Sequence, residues 1–138
     1  MTQRLTLLFV SVLTLCACAP KPPGERFYGS WRVEAKETLN LDPTVSALSP
    51  NARHRLQKVT SKWMSSIQFT FGRDGKLTVQ FANAESRYTF TVGAIRANEL
   101  ELNLSGPGKR ESQKMMLSYE PTGMKVVTAQ QSWMLKRH

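Results

Sequence analysis

The feature that most constrains the fold of this chain is a series of short segments in which apolar and polar residues alternate. The first hairpin of this kind presents apolar side chains on one face, namely Ile67, Phe69 and Phe71 before the turn and Leu77, Val79 and Phe81 after it. Between them, Asp74-Gly75 favours a tight turn because glycine accepts a positive φ. Alternation on both sides of such a turn predicts a β-hairpin whose one face is buried.

The same pattern occupies most of the chain. An earlier segment, 27–35, alternates in the same way, and turn residues separate the later ones. The predicted strands beyond the first hairpin lie at about 88–92, 100–104, 115–119, 124–128 and 132–136. Short strands at regular spacing with Gly and Pro turns are typical of an antiparallel meander. We therefore predict a mainly β fold of about eight strands.

Closure of this meander follows from its apolar face. A single open sheet would leave that face and two strand edges in water, whereas a barrel covers both. The sequence therefore predicts a small antiparallel meander that closes into a barrel. A curved open sheet with a helix packed across it is the alternative.

One helix interrupts the strands after the first of them. Ser49-Pro50 is typical of a helix start, because serine caps the free amides and proline fits the first turn. Apolar residues then repeat at helical spacing, at Ala52, Leu56, Val59, Trp63 and Ile67. This spacing predicts a helix over 49–66 with Trp63 anchored in the core. A neighbouring basic stripe of Arg55, Lys58 and Lys62 is either solvated or faces anionic lipid headgroups, with Trp63 then at the interface.

The first eighteen residues have the composition of a targeting signal. Arg4 precedes an apolar run over 5–17, which is shorter than the roughly 20 residues of a membrane-spanning helix. The run ends in Leu15-Cys16-Ala17-Cys18, which resembles a bacterial lipobox. The resemblance implies a signal peptide at 1–17 and a fatty-acylated, palmitate-type lipid on Cys18. An ordinary signal peptide cut nearby, for example after Ala19, is the alternative.

The residues after Cys18 are rich in proline, at Pro20, Pro22 and Pro23. Such a segment favours extended geometry, so we predict a tether over 18–25 and one β domain over 26–138. Ala19 stands where, in enterobacterial lipoproteins, an aspartate causes retention at the inner membrane. That resemblance implies the periplasmic face of the outer membrane. The mature chain would hold neither a disulfide nor a free thiol.

Charge limits the classes of partner. Loss of residues 1–17 leaves 18 Lys and Arg residues against 10 Asp and Glu residues, a net charge of +8. A basic surface favours envelope polyanions and anionic lipids, and an envelope location argues against nucleic acid. Positive residues that only aid solubility are the alternative.

The segment Phe27-Tyr28-Gly29-Ser30-Trp31 resembles the Gly-x-Trp opening of the lipocalin and calycin superfamily. A helical segment between the first two strands is also similar to the lid of intracellular fatty-acid-binding proteins. The resemblance implies an up-and-down barrel around a small apolar ligand. It also implies a basic residue near the C terminus that packs on Trp31, for which Arg137 is the first choice and Lys136 the second.

A barrel of eight strands holds either its own side chains or one small ligand. The residues we expect to contact such a ligand are the large inward ones, Trp31, Phe69, Phe71, Phe81, Tyr88, Phe90, Leu117 and Trp133. In a small domain these same side chains can fill the core by themselves. The sequence leaves both outcomes open.

The sequence offers no constellation for catalysis, metal binding or cofactor binding. Its histidines are His54 and the terminal His138, no Cys/His cluster has ligand spacing, and no glycine-rich phosphate loop is present. We therefore expect a monomeric non-enzyme without a metal or cofactor. Three functions remain: a lipoprotein that binds an apolar or amphipathic ligand, an interaction or assembly module of the envelope, and an inhibitor of a periplasmic or host enzyme.

Overall fold

The computed structural model describes residues 22–106 and 111–138, and it is dominated by a closed barrel of eight antiparallel strands. Each strand pairs with the next, and the last pairs with the first. The strands are β1 (Gly29–Val33), β2 (Gln68–Phe71), β3 (Lys76–Phe81), β4 (Ala84–Ile95), β5 (Glu99–Ser105), β6 (Gln113–Glu120), β7 (Gly123–Val127) and β8 (Ser132–Arg137). The predicted barrel is confirmed, and the open curved sheet is wrong.

Strand register places the apolar residues of the alternating pattern inside. Trp31 of β1 lies opposite Phe69 of β2 on one side and Arg137 of β8 on the other. Inside, Phe27, Phe71 and Phe90 meet edge to face, with ring centroids 5.6 to 6.2 Å apart. Aromatic rings favour this geometry because the positive edge of one ring meets the negative face of another.

Within the described residues, four helices accompany the barrel, and the sequence predicted one of them. They are α1 (Pro23–Arg26), α2 (Ala35–Asn40), α3 (Pro43–Ser46) and α4 (Pro50–Met64). α4 is the predicted helix, and the hydroxyl of Ser49 caps it by accepting a hydrogen bond from the Ala52 amide at 3.3 Å. α2 begins at Ala35, the last residue of the first predicted strand, and α3 follows in a segment for which no element was predicted.

β1 and β4 are the two strands whose lengths differ most from the prediction. β1 stops at Val33, because Ala35 already belongs to α2. β4 is longer than the predicted 88–92, because its first half pairs with β3 and its second half with β5. The register shifts between Val92 and Ile95, as expected where a long strand bends from one neighbour to the next.

The folded region begins earlier than predicted. Pro23–Arg26 forms the single turn α1 within the segment expected to be a tether, and Phe27 is completely buried. Pro23 takes the first helical position, where its missing amide hydrogen costs no hydrogen bond. The predicted signal peptide, 1–17, and the predicted lipid site Cys18 lie outside the described residues. In the described ranges, no helix has both the length and the hydropathy needed to cross a membrane.

The predicted apolar face of α4 is only partly correct. Met64 is buried and Leu56 packs against the core, but Val59 and Trp63 are 73% and 43% exposed. The helix is therefore rotated toward the side that carries Met64. Trp63 is not the core anchor that the spacing predicted.

Candidate functional site

The two ends of the barrel differ in construction. We call the end that carries α1 and the start of β1 the closed end. The opposite end, where β3 finishes at Phe81 and β2 begins, is the mouth. Every antiparallel strand runs between these two ends, so each turn belongs to one of them.

At the closed end, the structure brings Trp31 and Arg137 together. The Arg137 guanidinium lies over the Trp31 ring, with its central carbon 4.2 Å from the ring centroid. Arg137 also donates hydrogen bonds to the carbonyls of Tyr28 and Arg26, and the indole nitrogen of Trp31 donates to the Phe27 carbonyl at 2.7 Å. Together these contacts fix the segment that crosses the closed end.

Lys136, the second choice for this pairing, points the other way. Its ammonium lies 3.6 Å from the Glu34 carboxylate and 3.5 Å from that of Glu37. Neighbouring residues on a strand face opposite sides of the sheet, so only one of the two can reach Trp31. Arg137 faces inward with Trp31, and Lys136 faces α2.

A second stacked arginine lies at the closed end. Arg26 lies over the Tyr119 ring, with its central carbon 4.4 Å from the ring centroid, and the Tyr119 hydroxyl donates to the Pro23 carbonyl. Burial raises the pKa of the Tyr119 hydroxyl above 10.0, although Arg26 and Arg137 oppose the shift. The neutral phenol therefore serves as a hydrogen-bond donor that holds α1.

The interior is filled by many of the residues predicted to contact a ligand. Phe69, Phe71, Phe90 and Leu117 are all buried, and Phe69 stacks with Phe71 at a centroid distance of 6.4 Å. In residues 22–106 and 111–138, five clefts open at the surface, and these four side chains line none of the five. Their positions are those of a packed core.

The remaining predicted ligand contacts lie nearer the surface. Phe81, predicted to point into the barrel, is 43% exposed at the rim, because β3 ends there. It meets Trp63 edge to face, with the ring centroids 6.0 Å apart. Tyr88 is half-buried at the margin of an outer groove. Trp133 is half-buried and reaches the mouth, and its ring centroid lies 6.3 Å from that of Phe69.

A crevice of about 500 Å³ opens at the mouth, between the helices and the β7–β8 turn. Its apolar wall consists of Leu39, Leu41, Pro43, Trp63, Met64 and Trp133. Its polar wall includes Thr38, Asp42, Thr128, Gln130, Gln131 and Ser132. Binding pockets for small molecules commonly have about 300 to 1,000 Å³ and combine an apolar surface with a few polar groups.

The polar rim of this crevice carries a negative charge. Asp42 accepts hydrogen bonds from the Thr44 hydroxyl at 2.7 Å and from the Thr44 amide at 2.9 Å. These bonds favour the ionised carboxylate and hold the pKa of Asp42 below its ordinary 3.8. A ligand that enters here meets aromatic and aliphatic groups on one side and amide, hydroxyl and carboxylate groups on the other.

Sequence reasoning identified only part of this crevice. Trp133 was predicted as a ligand contact, but Thr38, Leu39 and Leu41 lie in α2 and its C-cap, in a segment for which no element was predicted. The apolar side chains of Leu39 and Leu41 were the available signal. No strand or helix periodicity over so short a segment could assign them to a site.

The predicted membrane-facing residues Arg55, Lys58 and Lys62 are all exposed on α4.

No protein-family model matches this chain, and no curated protein matches it significantly. The structure alone therefore defines the class of this protein. It is an eight-stranded antiparallel barrel in which α1 lies across the closed end and helices flank the mouth.

Proposed function

We propose that this protein is a membrane-anchored envelope lipoprotein that binds a small apolar or amphipathic molecule at the mouth of a lipocalin-like barrel. The observation that carries the proposal is the crevice of about 500 Å³ with its opposed apolar and polar walls. An amphipathic molecule matches such a pair of walls, because each part of it then meets groups of like polarity.

The mouth is a better site than the interior. Leu117 is fully buried and Phe71 is 1% exposed, so a ligand inside the barrel would have to displace packed side chains. Interiors are packed about as densely as organic crystals, and such displacement is costly. In the crevice, the ligand would contact Trp133 from outside the packed core.

Two features support the lipocalin-like part of the proposal. Trp31 lies beneath the Arg137 guanidinium at the closed end, and a helical segment follows the first strand. Both were implied by the resemblance of the Gly-x-Trp segment. They concern the architecture of the barrel, and the ligand is argued from the crevice.

The anchor is proposed from the sequence at 1–18. We expect the signal peptide to be removed and Cys18 to carry the lipid, with the barrel at the periplasmic face of the outer membrane. Metabolic labelling with a fatty-acid analogue should mark the wild-type protein. A Cys18→Ala variant should lose the label and leave the membrane fraction, and an unlabelled wild-type protein would contradict the anchor.

Ligand binding can be tested by native mass spectrometry on residues 21–138, purified from bacteria without detergent. We expect an additional mass that organic extraction removes and that returns when the extract is added. Leu41→Asp, in the crevice, should abolish it. The control is Leu48→Asp, because Leu48 is 38% exposed and is not among the crevice residues. A ligand mass that both variants retain would place binding elsewhere.

A non-enzymatic interaction or assembly module is the second candidate. The filled interior favours it, because a barrel that is packed with its own side chains leaves its surface for function. An unliganded mass that does not change after incubation with an envelope lipid extract would favour this second function over the first.

A further inference from the structure

The outward side of α4 exposes apolar residues that the fold does not use. Val59 and Trp63 are 73% and 43% exposed and lie one helical turn apart. Phe81, also 43% exposed, touches Trp63 from the rim of the barrel. Single exposed apolar residues are ordinary, but a contiguous aromatic and aliphatic group commonly marks a contact surface.

This apolar group lies beside positive charge. α4 has four Lys and Arg residues and no Asp or Glu in its fifteen residues. Arg53 donates to the carbonyls of Ser46 and Leu48, at 2.8 and 3.3 Å, and is therefore occupied within the fold. The other three, Arg55, Lys58 and Lys62, form no ion pair within the described ranges. We call Arg55, Lys58, Val59, Lys62 and Trp63 the α4 outer face.

Contacts connect this face with the start of the described chain. Pro23 is held by the Tyr119 hydroxyl, and Thr122, which follows shortly in the β6–β7 turn, donates to the Glu37 carboxylate at 3.2 Å. Glu37 belongs to α2, which packs against both β8 and α4. A series of contacts therefore leads from α1 at the closed end, through the β6–β7 turn and α2, to α4.

We infer that the α4 outer face, together with Phe81, docks on an anionic lipid surface. Lys and Arg side chains are attracted to anionic headgroups, and tryptophan is favoured at the interface between headgroups and acyl chains. A helix with basic residues beside exposed apolar ones can lie in that interface.

The inference rests on the proposed lipid anchor for its orientation. Residues 18–22, if extended, span only about 12 Å, so the closed end that carries Pro23 would stay close to the bilayer. Contact of the α4 outer face with the same bilayer would lay the barrel on its side, with the crevice at the mouth near the membrane. A ligand of the crevice could then pass directly between the bilayer and the mouth.

Tryptophan fluorescence of the full-length protein on vesicles tests the inference. The vesicles contain phosphatidylcholine with brominated acyl chains, with or without phosphatidylglycerol. We expect bromine to quench a fraction of the emission only when phosphatidylglycerol is present, and salt to reduce that fraction. Trp63→Phe should remove the phosphatidylglycerol-dependent part, because Trp31 is buried and Trp133 is half-buried.

A triple variant tests how much the positive charges of the α4 outer face contribute to membrane binding. It combines Arg55→Gln, Lys58→Gln and Lys62→Gln. Each basic residue near an anionic membrane strengthens binding about fivefold, so the triple variant should lower phosphatidylglycerol-dependent binding about a hundredfold. The matched control changes the same number of charges at exposed positions on the strands and turns, with Lys76→Gln, Arg87→Gln and Arg96→Gln. It should keep the quenching.

Equal loss in both triple variants, or quenching without phosphatidylglycerol, would overturn the inference. So would absence of lipid quenching in the wild type, the result expected if a protein covers the α4 outer face. Failure of the anchor is distinguishable, because the protein would then not float with pure phosphatidylcholine vesicles. Failure of ligand binding is seen separately, in the mass spectra of the Leu41 and Leu48 variants.

Discussion

At the scale of single residues, Gly29 meets two independent constraints. Its φ is +109°, in a region that residues with a side chain rarely adopt. A Cβ atom placed on it would also lie 2.7 Å from a terminal nitrogen of Arg137. The Arg137 guanidinium therefore occupies the space that a side chain at this position would need. The Gly-x-Trp segment and the C-terminal arginine thus form one structural unit.

Replacement of Gly29 by alanine should therefore destabilise the barrel. Strain in an unfavourable backbone region alone costs about 1 to 3 kcal/mol, and displacement of Arg137 adds to it. The free energy of unfolding in urea measures the loss. The control is Gly93→Ala, since Gly93 lies in β4 without a positive φ. Equal stability of Gly29→Ala and wild type would show that the closed end tolerates another geometry.

Because of Tyr119, the free energy of unfolding of the protein should fall as the pH rises through the alkaline range. Its pKa is raised in the folded state, mainly by burial, so its contribution is fully present below about pH 10 and is lost as the pH rises through the folded pKa. Ionisation also removes the proton donated to Pro23. Thermal unfolding across this range should show an alkaline decline that Tyr119→Phe reduces. Tyr88→Phe, which retains Tyr119, should keep the decline, and an unchanged decline in Tyr119→Phe would contradict this role.

At the scale of elements, α2 supplies hydrogen bonds to β8 beyond the point where β1 ends. β1 ends at Val33, and beyond that point the Thr38 side chain of α2 forms hydrogen bonds with the backbone of β8. The Thr38 hydroxyl accepts from the Met134 amide at 2.9 Å and donates to the Met134 carbonyl at 3.4 Å. Thr38 is the buried polar residue of this segment. The short helix therefore substitutes for strand pairing and brings Leu39 to the mouth.

Thr38→Val should show how much this substitution contributes. Valine has nearly the shape of threonine but leaves a buried amide without a partner, which costs about 1 to 3 kcal/mol. Hydrogen exchange at the Met134 amide and urea unfolding are the measurements. Thr38→Ser keeps the hydroxyl and should retain most of the protection. Similar losses in the two variants would mean that the methyl group, and not the hydrogen bonds, matters.

At the scale of the whole molecule, the barrel has a filled interior, and its clefts lie outside that core. Phe71 is 1% exposed within the aromatic cluster, whereas Phe81 is 43% exposed at the rim of the mouth. The two residues belong to the same predicted inward set but have different surroundings. The packed core is therefore separate in space from the proposed ligand and lipid contacts.

Truncation of Phe71 and of Phe81 should separate the contribution to stability from the proposed contact with lipid. Phe71→Ala should destabilise the protein by about 3 to 5 kcal/mol, because a large side chain is lost from a packed core. Phe81→Ala should cost much less and instead weaken lipid-dependent quenching. Chemical denaturation of both variants provides the comparison. A mild effect of Phe71→Ala would indicate an interior with room for a ligand.

Closure of the barrel was predicted with an open curved sheet as the alternative, and the tertiary structure decided between the two. The sequence by itself determined the strand count and the position of α4. These follow from local physics, since alternation fixes which face is apolar, Asp-Gly and Gly/Pro segments fix the turns, and Ser49-Pro50 fixes a helix start. α1, α2 and α3 were missed because elements this short have too few residues to show a period. For the same reason, Pro23 was assigned to a tether.

Only the tertiary structure decided which predicted residues form a core and which form a site. Alternation places Phe69, Phe81 and Trp133 alike on an inward face, but their burial depends on where each strand ends and what lies across from it. The rotation of α4, which exposes Val59 and Trp63, likewise depends on its packing against α2. Periodicity specifies a direction relative to one element, whereas burial depends on all the elements around it.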